Sequence, residues 1–312
     1  MTLPLKSVPW TNVLLFIATL LTTFWAGITY GPPLPSPTVL DLLLKGAMYA
    51  LPLLAILLCH EMGHYLTARR HGVKVSLPFF LPVPSFEGGL NVGTLGAIIR
   101  MRSKPPTPSA LLEIGAAGPL AGMAVAVPLL IVGLWLSPVL PFPKGGIVEG
   151  DSILYLLLKR IVAGPIPEGY DVILHPIAWA SWIGLFVTMI NLFPVGQLDG
   201  GHIVFALFTP RQYRIISNTG HTLCLVLFLA IGWYYGTRAI EAGLPAEAVI
   251  AEYLAGLNWL VWALLLLVLR RIGRGHPPVG EGRLSRKHKI LGFATLILFV
   301  LIFMPVPLHL TY

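Results

Sequence analysis

The sequence predicts an all-α polytopic membrane protein of about seven transmembrane helices, with a short membrane-associated β-hairpin near its functional site. Hydrophobic residues fill 56% of the 312 positions and charged residues only 11%, with a mean hydropathy of +0.80. A soluble domain carries about twice that share of charge. Apolar runs able to cross about 30 Å of hydrocarbon recur seven times. Lysine and arginine gather in alternate connections, the pattern that sets membrane orientation.

The first run, Thr11 to Tyr30, is too long for a signal peptide and shows no small-x-small cleavage site before Gly31-Pro32-Pro33, so it is expected to remain as a helix. The second, Val39 to Leu66, is long enough to leave the bilayer. After it, Pro78, Pro82 and Pro84 forbid a helix, and Thr94 to Met101 is expected to form a short strand. Ser109 to Leu136 is the third span and Val172 to Phe193 the fourth. His175-Pro176 then falls in the outer half of the fourth span, in a packing or kinking role. Ile215 to Tyr235, Leu254 to Leu269 and Ile290 to Met304 complete the set. Ser137 to Tyr170 is the longest hydrophilic connection and has no room for a further globular module. One embedded domain, residues 1–312, is expected, with a core at 38–210 and C-terminal helices at 213–306.

Placing the N-terminus in the cytoplasm puts Lys6, the residues from Arg69 to Lys104, Arg211 and Arg214, and the cluster from Arg270 to Lys289 on the inner side. Lys45, Lys144, Lys159, Arg160 and Arg238 are then outside, among most of the acidic residues, and the C-terminus is outside too. The net charge of +8 is thereby explained by topology and lipid contact, and nucleic acid is excluded as a partner. Cys59 and Cys224 lie in apolar surroundings and are packing residues. The eight tryptophans, Trp10 and Trp233 among them, suit anchoring at the membrane surface, and Glu113 suits a helix N-terminus. His221, His276, His288 and His309 show no partner spacing.

His60-Glu61-Met62-Gly63-His64 closes the apolar run of the second span. Histidines four apart share one helix face, so both imidazoles reach one metal with Glu61 beside it, the H-E-x-x-H geometry of zinc hydrolysis. Ionisable groups at bilayer depth cost about 2.5–3.5 kcal/mol each on insertion scales, and a bound cation accounts for three together. Such a site needs a third ligand and an open position. Asp199, in the run from Asn191 through Pro194 to Gly200-Gly201-His202, follows a span that ends on the same membrane face. Helix capping by Asp199 and ligation by His202 are the competing assignments.

The pair H-E-x-x-H and N-x-x-P-x-x-x-L-D-G, with Gly118-Pro119 and the run Gly93 to Met101, resembles the site-2 proteases, intramembrane zinc metalloproteases that cut transmembrane substrates. The resemblance covers about Leu51 to Phe208 and implies a compact form without a PDZ module. It implies one Zn2+ per chain held by His60, His64 and Asp199, with Glu61 acting on water. Many members carry an asparagine shortly after the Gly-Pro pair, where this chain has Gly122. Hydrolysis also needs an oxyanion donor, for which Asn191 is the candidate. The expected partners are a transmembrane protein substrate and the lipid bilayer, and the expected location is the cell membrane with the site facing the cytoplasm. An inactive membrane-protein-binding relative and an ion-coupled transporter are the alternative functions.

Overall fold

Capping and proline signals set where the helices begin. The computed structural model describes residues 9–31, 36–84, 91–141, 146–272 and 279–311; Lys6, Lys144, Arg274 and His276 lie outside them. Helix α1 (Trp10–Thr29) leads to α2 (Val39–Arg70), which starts in a capping box. The Thr38 hydroxyl accepts from the Asp41 amide, and the Asp41 carboxylate accepts from the Thr38 amide at 2.9 Å. At 32 residues α2 is about 48 Å long and outruns the hydrocarbon, as expected. Strands β1 (Phe79–Pro82) and β2 (Thr94–Ile98) then pair antiparallel, with Phe79 opposite Ile98, and a bridge between Val75 and Met101 continues the pairing. This is the expected hairpin. Helix α3 (Pro108–Trp135), capped by Thr107, follows.

The connection after α3 is more structured than expected. Strands β3 (Val139–Pro141) and β4 (Gly146–Glu149) precede α4 (Ile153–Ala163) and β5 (Tyr170–Val172). β3 pairs antiparallel with β5, and β4 with β6 (Leu308–Thr311) at the far end of the chain. The remaining helices are α5 (Pro176–Asn191), α6 (Asp199–Leu207), α7 (Pro210–Glu241), α8 (Ala246–Tyr253), α9 (Leu257–Ile272) and α10 (Arg286–Ile302).

Five stretches among the described residues are long and apolar enough to cross a membrane: α1, α2, α3, α7 and Ala246–Val268 through α8 and α9. The fourth expected span is shorter than its hydropathy suggests. Val172 is spent in β5, His175 caps α5 by accepting from the Ile177 amide, and Pro176 takes the first helical position, leaving 16 residues. His175 is thus a cap rather than a residue inside a span. α10 has 17 residues, with Arg286, Lys287 and Lys289 in its first turns.

Helices α2, α3 and α5 pack on one another, and α1 lies against α2 and β1. Tyr49, Leu53, Ile56, Leu130, Trp182 and Leu185 are fully buried between them. The indole of Trp182 stacks between Trp179 and Phe186, with ring centres 5.1 and 5.8 Å away. Cys224 is buried and Cys59 half-buried, both as free thiols.

Away from the H-E-x-x-H end, a buried ionic cluster ties α4 to the small sheets. Lys159 Nζ lies 2.6 Å from Asp171 and 3.7 Å from Glu149, and the Tyr155 hydroxyl donates to Glu149 at 2.7 Å. Burial pushes the Glu149 and Asp151 carboxyls above their ordinary range, and the nearby ammonium opposes that rise. Lys159→Met is therefore expected to leave carboxylates buried without a counter-charge and to cost about 3 kcal/mol, read as a lower thermal midpoint at neutral pH. Recovery at acidic pH is expected too, because protonating groups whose folded pKa is raised favours the folded state.

Candidate metal centre

The C-terminal part of α2 carries His60, Glu61 and His64, all buried. The His64 Nδ1–H donates to the Ile114 carbonyl of α3 at 2.7 Å. A carbonyl accepts only, so a proton sits on Nδ1, and in the neutral ring Nε2 carries the free lone pair. That atom lies 3.2 Å from His60 Nε2 and 3.1 Å from Asp199 Oδ2, and His60 Nε2 lies 3.2 Å from the same carboxylate oxygen.

Three acceptor-rich atoms this close, with too few protons between them if both rings are neutral, repel unless a cation sits among them. Four donors about 2.0 Å from a tetrahedral zinc are about 3.3 Å apart, so the observed spacings suit three corners of that tetrahedron. Among the described residues, these three are the group of His, Cys, Asp and Glu side chains close enough to share one metal ion.

Asp199 arrives from a bend. α5 ends at Asn191, Pro194 prevents its continuation, and Gly196 turns the chain at φ 61° before α6 begins. Leu198 occupies the cap position without a side-chain bond, and Asp199 is the first helical residue. Its carboxylate therefore faces the histidines and is not a cap. His202 is buried one turn later and lines the adjoining cavity, outside the three-residue group. Cys59 is also outside it. Asn191 is beside it, with Nδ2 3.4 Å from His60 Nε2.

The cluster opens into a cavity of about 640 Å3. Glu61 lines it, as do Asn191 and the extended segment from Ala97 to Pro105, and the Ile99 amide faces the Glu61 carboxylate.

Two features were missed from sequence. Gly115, Gly118 and Gly122 form one face of α3, packed respectively on the Asp199 backbone, the His64 ring and His60. Their spacing of three and four residues is the available signal. Glu113 lies beyond the first turn of α3, not at its N-terminus as expected, and accepts from His71 at the end of α2 at 2.7 Å and from His288 of α10 at 2.8 Å, so it ties three helices together.

A family model described as Peptidase family M50 matches residues 48–234. The chain is 32% identical over 207 residues to the Arabidopsis thaliana protein named "Probable zinc metalloprotease EGY2, chloroplastic", covering 63% of this chain and 35% of that protein. It is 38% identical over 190 residues to "Probable zinc metalloprotease EGY1, chloroplastic" of the same plant, covering 57% of this chain and 33% of that one. The EGY2 protein of Oryza sativa subsp. indica is 36% identical over 205 residues, covering 63% and 36%. The chain thus spans about a third of the length of these curated relatives. No solved structure matches.

Proposed function

The chain belongs to peptidase family M50, and from that membership and the site geometry we propose that it is an intramembrane zinc metalloprotease. The observation that carries this reading is the convergence of His60, His64 and Asp199 at 3.1–3.2 Å beside a cavity lined by Glu61. Its substrates are membrane proteins cut within or near a transmembrane segment.

His60, His64 and Asp199 hold one Zn2+, which when bound polarises a carbonyl and brings the pKa of water to about 7. Glu61 removes a proton from the attacking water as the water oxygen bonds to the peptide carbonyl carbon. As the C–N bond breaks, Glu61 returns that proton to the leaving nitrogen. The Asn191 amide donates to the carbonyl oxygen as negative charge grows on it. The Ile114 carbonyl keeps His64 in the tautomer that points Nε2 at the site.

A transmembrane helix hides its carbonyls in internal hydrogen bonds, so the substrate must unwind. β1 pairs with one edge of β2, and Ala97 and Ile98 line the cavity, where an extended substrate adds to the sheet. Ile98→Pro is expected to abolish cleavage of a transmembrane reporter while zinc content stays at the wild-type level. Unchanged cleavage would remove β2 from substrate binding.

Seven crossings complete this reading, with α5 as a short helix held inside the bundle and α10 as a short helix on its outer side. The N-terminus and the site face the cytoplasm of a cell membrane, and the C-terminus is outside. Zinc per chain in chelator-free wild type and His64→Ala tests the centre. About one zinc, lost in the variant, is expected; no zinc in the wild type would overturn the reading in favour of an inactive binding protein or a transporter.

A further inference from the structure

Arg100 to Lys104 lies along the mouth of the metal-site cavity, and its side chains alternate. Arg100, Arg102 and Lys104 are exposed, whereas Met101 is half-buried against the small cluster of Ala68, Val73 and Ile114. The alternation is that of an extended chain, with successive side chains on opposite faces. The segment is held in place by its neighbour. The Ser76 amide donates to the Arg100 carbonyl at 3.0 Å, the Arg102 amide to the Lys74 carbonyl at 2.7 Å, and the Arg100 amide to the Ser76 hydroxyl at 2.9 Å. Three cations therefore share one face of a fixed segment beside the site.

None of the three has a carboxylate partner among the described residues. Glu113, on α3 nearby, is engaged by His71 and His288, and Asp199 faces the histidines. A substrate at the mouth thus first meets three cations that no ion pair among the described residues engages, while the carboxylates of Glu61 and Asp199 line the same cavity beside the histidines.

We propose that Arg100, Arg102 and Lys104 form a charge filter that favours substrates with Asp or Glu on the flank next to the cut segment and disfavours those with Lys or Arg there. This rests on the protease reading above. Ordinary spans carry Lys and Arg on their cytoplasmic flank, so a basic mouth on that side turns most of them away and leaves a minority with acidic flanks. Repulsion selects here as much as attraction does. The position of the strip at the cavity that also holds His60 and Glu61 favours a peptide over lipid headgroups as its partner.

The test is binding by the full-length Glu61→Gln chain in discs of zwitterionic lipid. Two labelled peptides share one apolar helical sequence and differ only in a flank of three Asp or three Lys. The Asp peptide is expected to bind about tenfold more tightly, since exposed charge pairs each contribute modestly. That preference should shrink from about 0.05 M to about 0.5 M salt and vanish when Arg100, Arg102 and Lys104 are all replaced by Gln. Equal binding of both peptides, or a preference that survives the triple substitution, would overturn the filter. So would equal peptide binding together with strip-dependent binding of vesicles containing anionic lipid, which would assign the strip to headgroups. Cleavage of the same peptides by the chain with Glu61 intact is scored separately. Selective binding without cleavage would retain the filter and reject the protease reading.

Discussion

Replacing Glu61 with glutamine is expected to slow peptide hydrolysis by about 10²- to 10⁴-fold and to leave zinc content unchanged. Glutamine matches glutamate in shape, and its carbonyl oxygen can still accept from the Ile99 amide that faces Glu61. It cannot take a proton from water. His60, His64 and Asp199 are untouched, and their contacts at 3.1–3.2 Å are made with one another and do not include Glu61. Initial cleavage rates of a reconstituted transmembrane reporter, measured beside metal content, separate the two contributions. A variant that cuts at the wild-type rate would remove Glu61 from the chemistry, while one that loses zinc would make it a structural support of the centre.

The parts of this site legible in the sequence are those set by short-range geometry. Four-residue spacing on a helix fixes His60 and His64 on one face whatever surrounds them. Asp199 lies 135 residues beyond His64, and only loop charges and the N-x-x-P-x-x-x-L-D-G motif brought it to the same membrane face. The hairpin was legible because prolines rule out a helix around Pro78 to Pro84. What escaped depends on distant partners. The pairing of β4 with β6 joins residue 146 to residue 311, and no local pattern announces it. The fourth span looked full length because Val172 and Ile173 are as apolar as a helix requires, although β5 and the His175 cap claim that stretch. Glu113 does not sit in the first turn of α3 as expected but one turn further in, and its two histidine partners come from distant parts of the chain.

The glycine face of α3 escaped for a related reason: a sequence shows that Gly115, Gly118 and Gly122 share a side, but not that α2 lies against it. Gly118→Ala is expected to lower zinc affinity at least about 100-fold and to abolish cleavage, although the residue touches no substrate and binds no metal. A methyl group there would overlap the His64 ring at Nε2 and its neighbouring carbons. A side chain can yield where backbone cannot, so the ring is expected to turn away and break its contacts with Ile114, His60 and Asp199. The fold itself should not suffer, because alanine is a better helix former than glycine by about 1 kcal/mol. Thermal midpoints of metal-free chains should therefore match or exceed the wild type, while zinc titrations fall well short of it. Adding His64→Ala provides the decisive comparison, since removing the ring removes the clash. In that background Gly118→Ala should have no further effect on zinc, a non-additivity expected of groups in direct contact. Wild-type zinc affinity in the single variant would show that α3 does not approach His64 this closely. Destabilisation of the metal-free double variant would show that the methyl group strikes backbone instead.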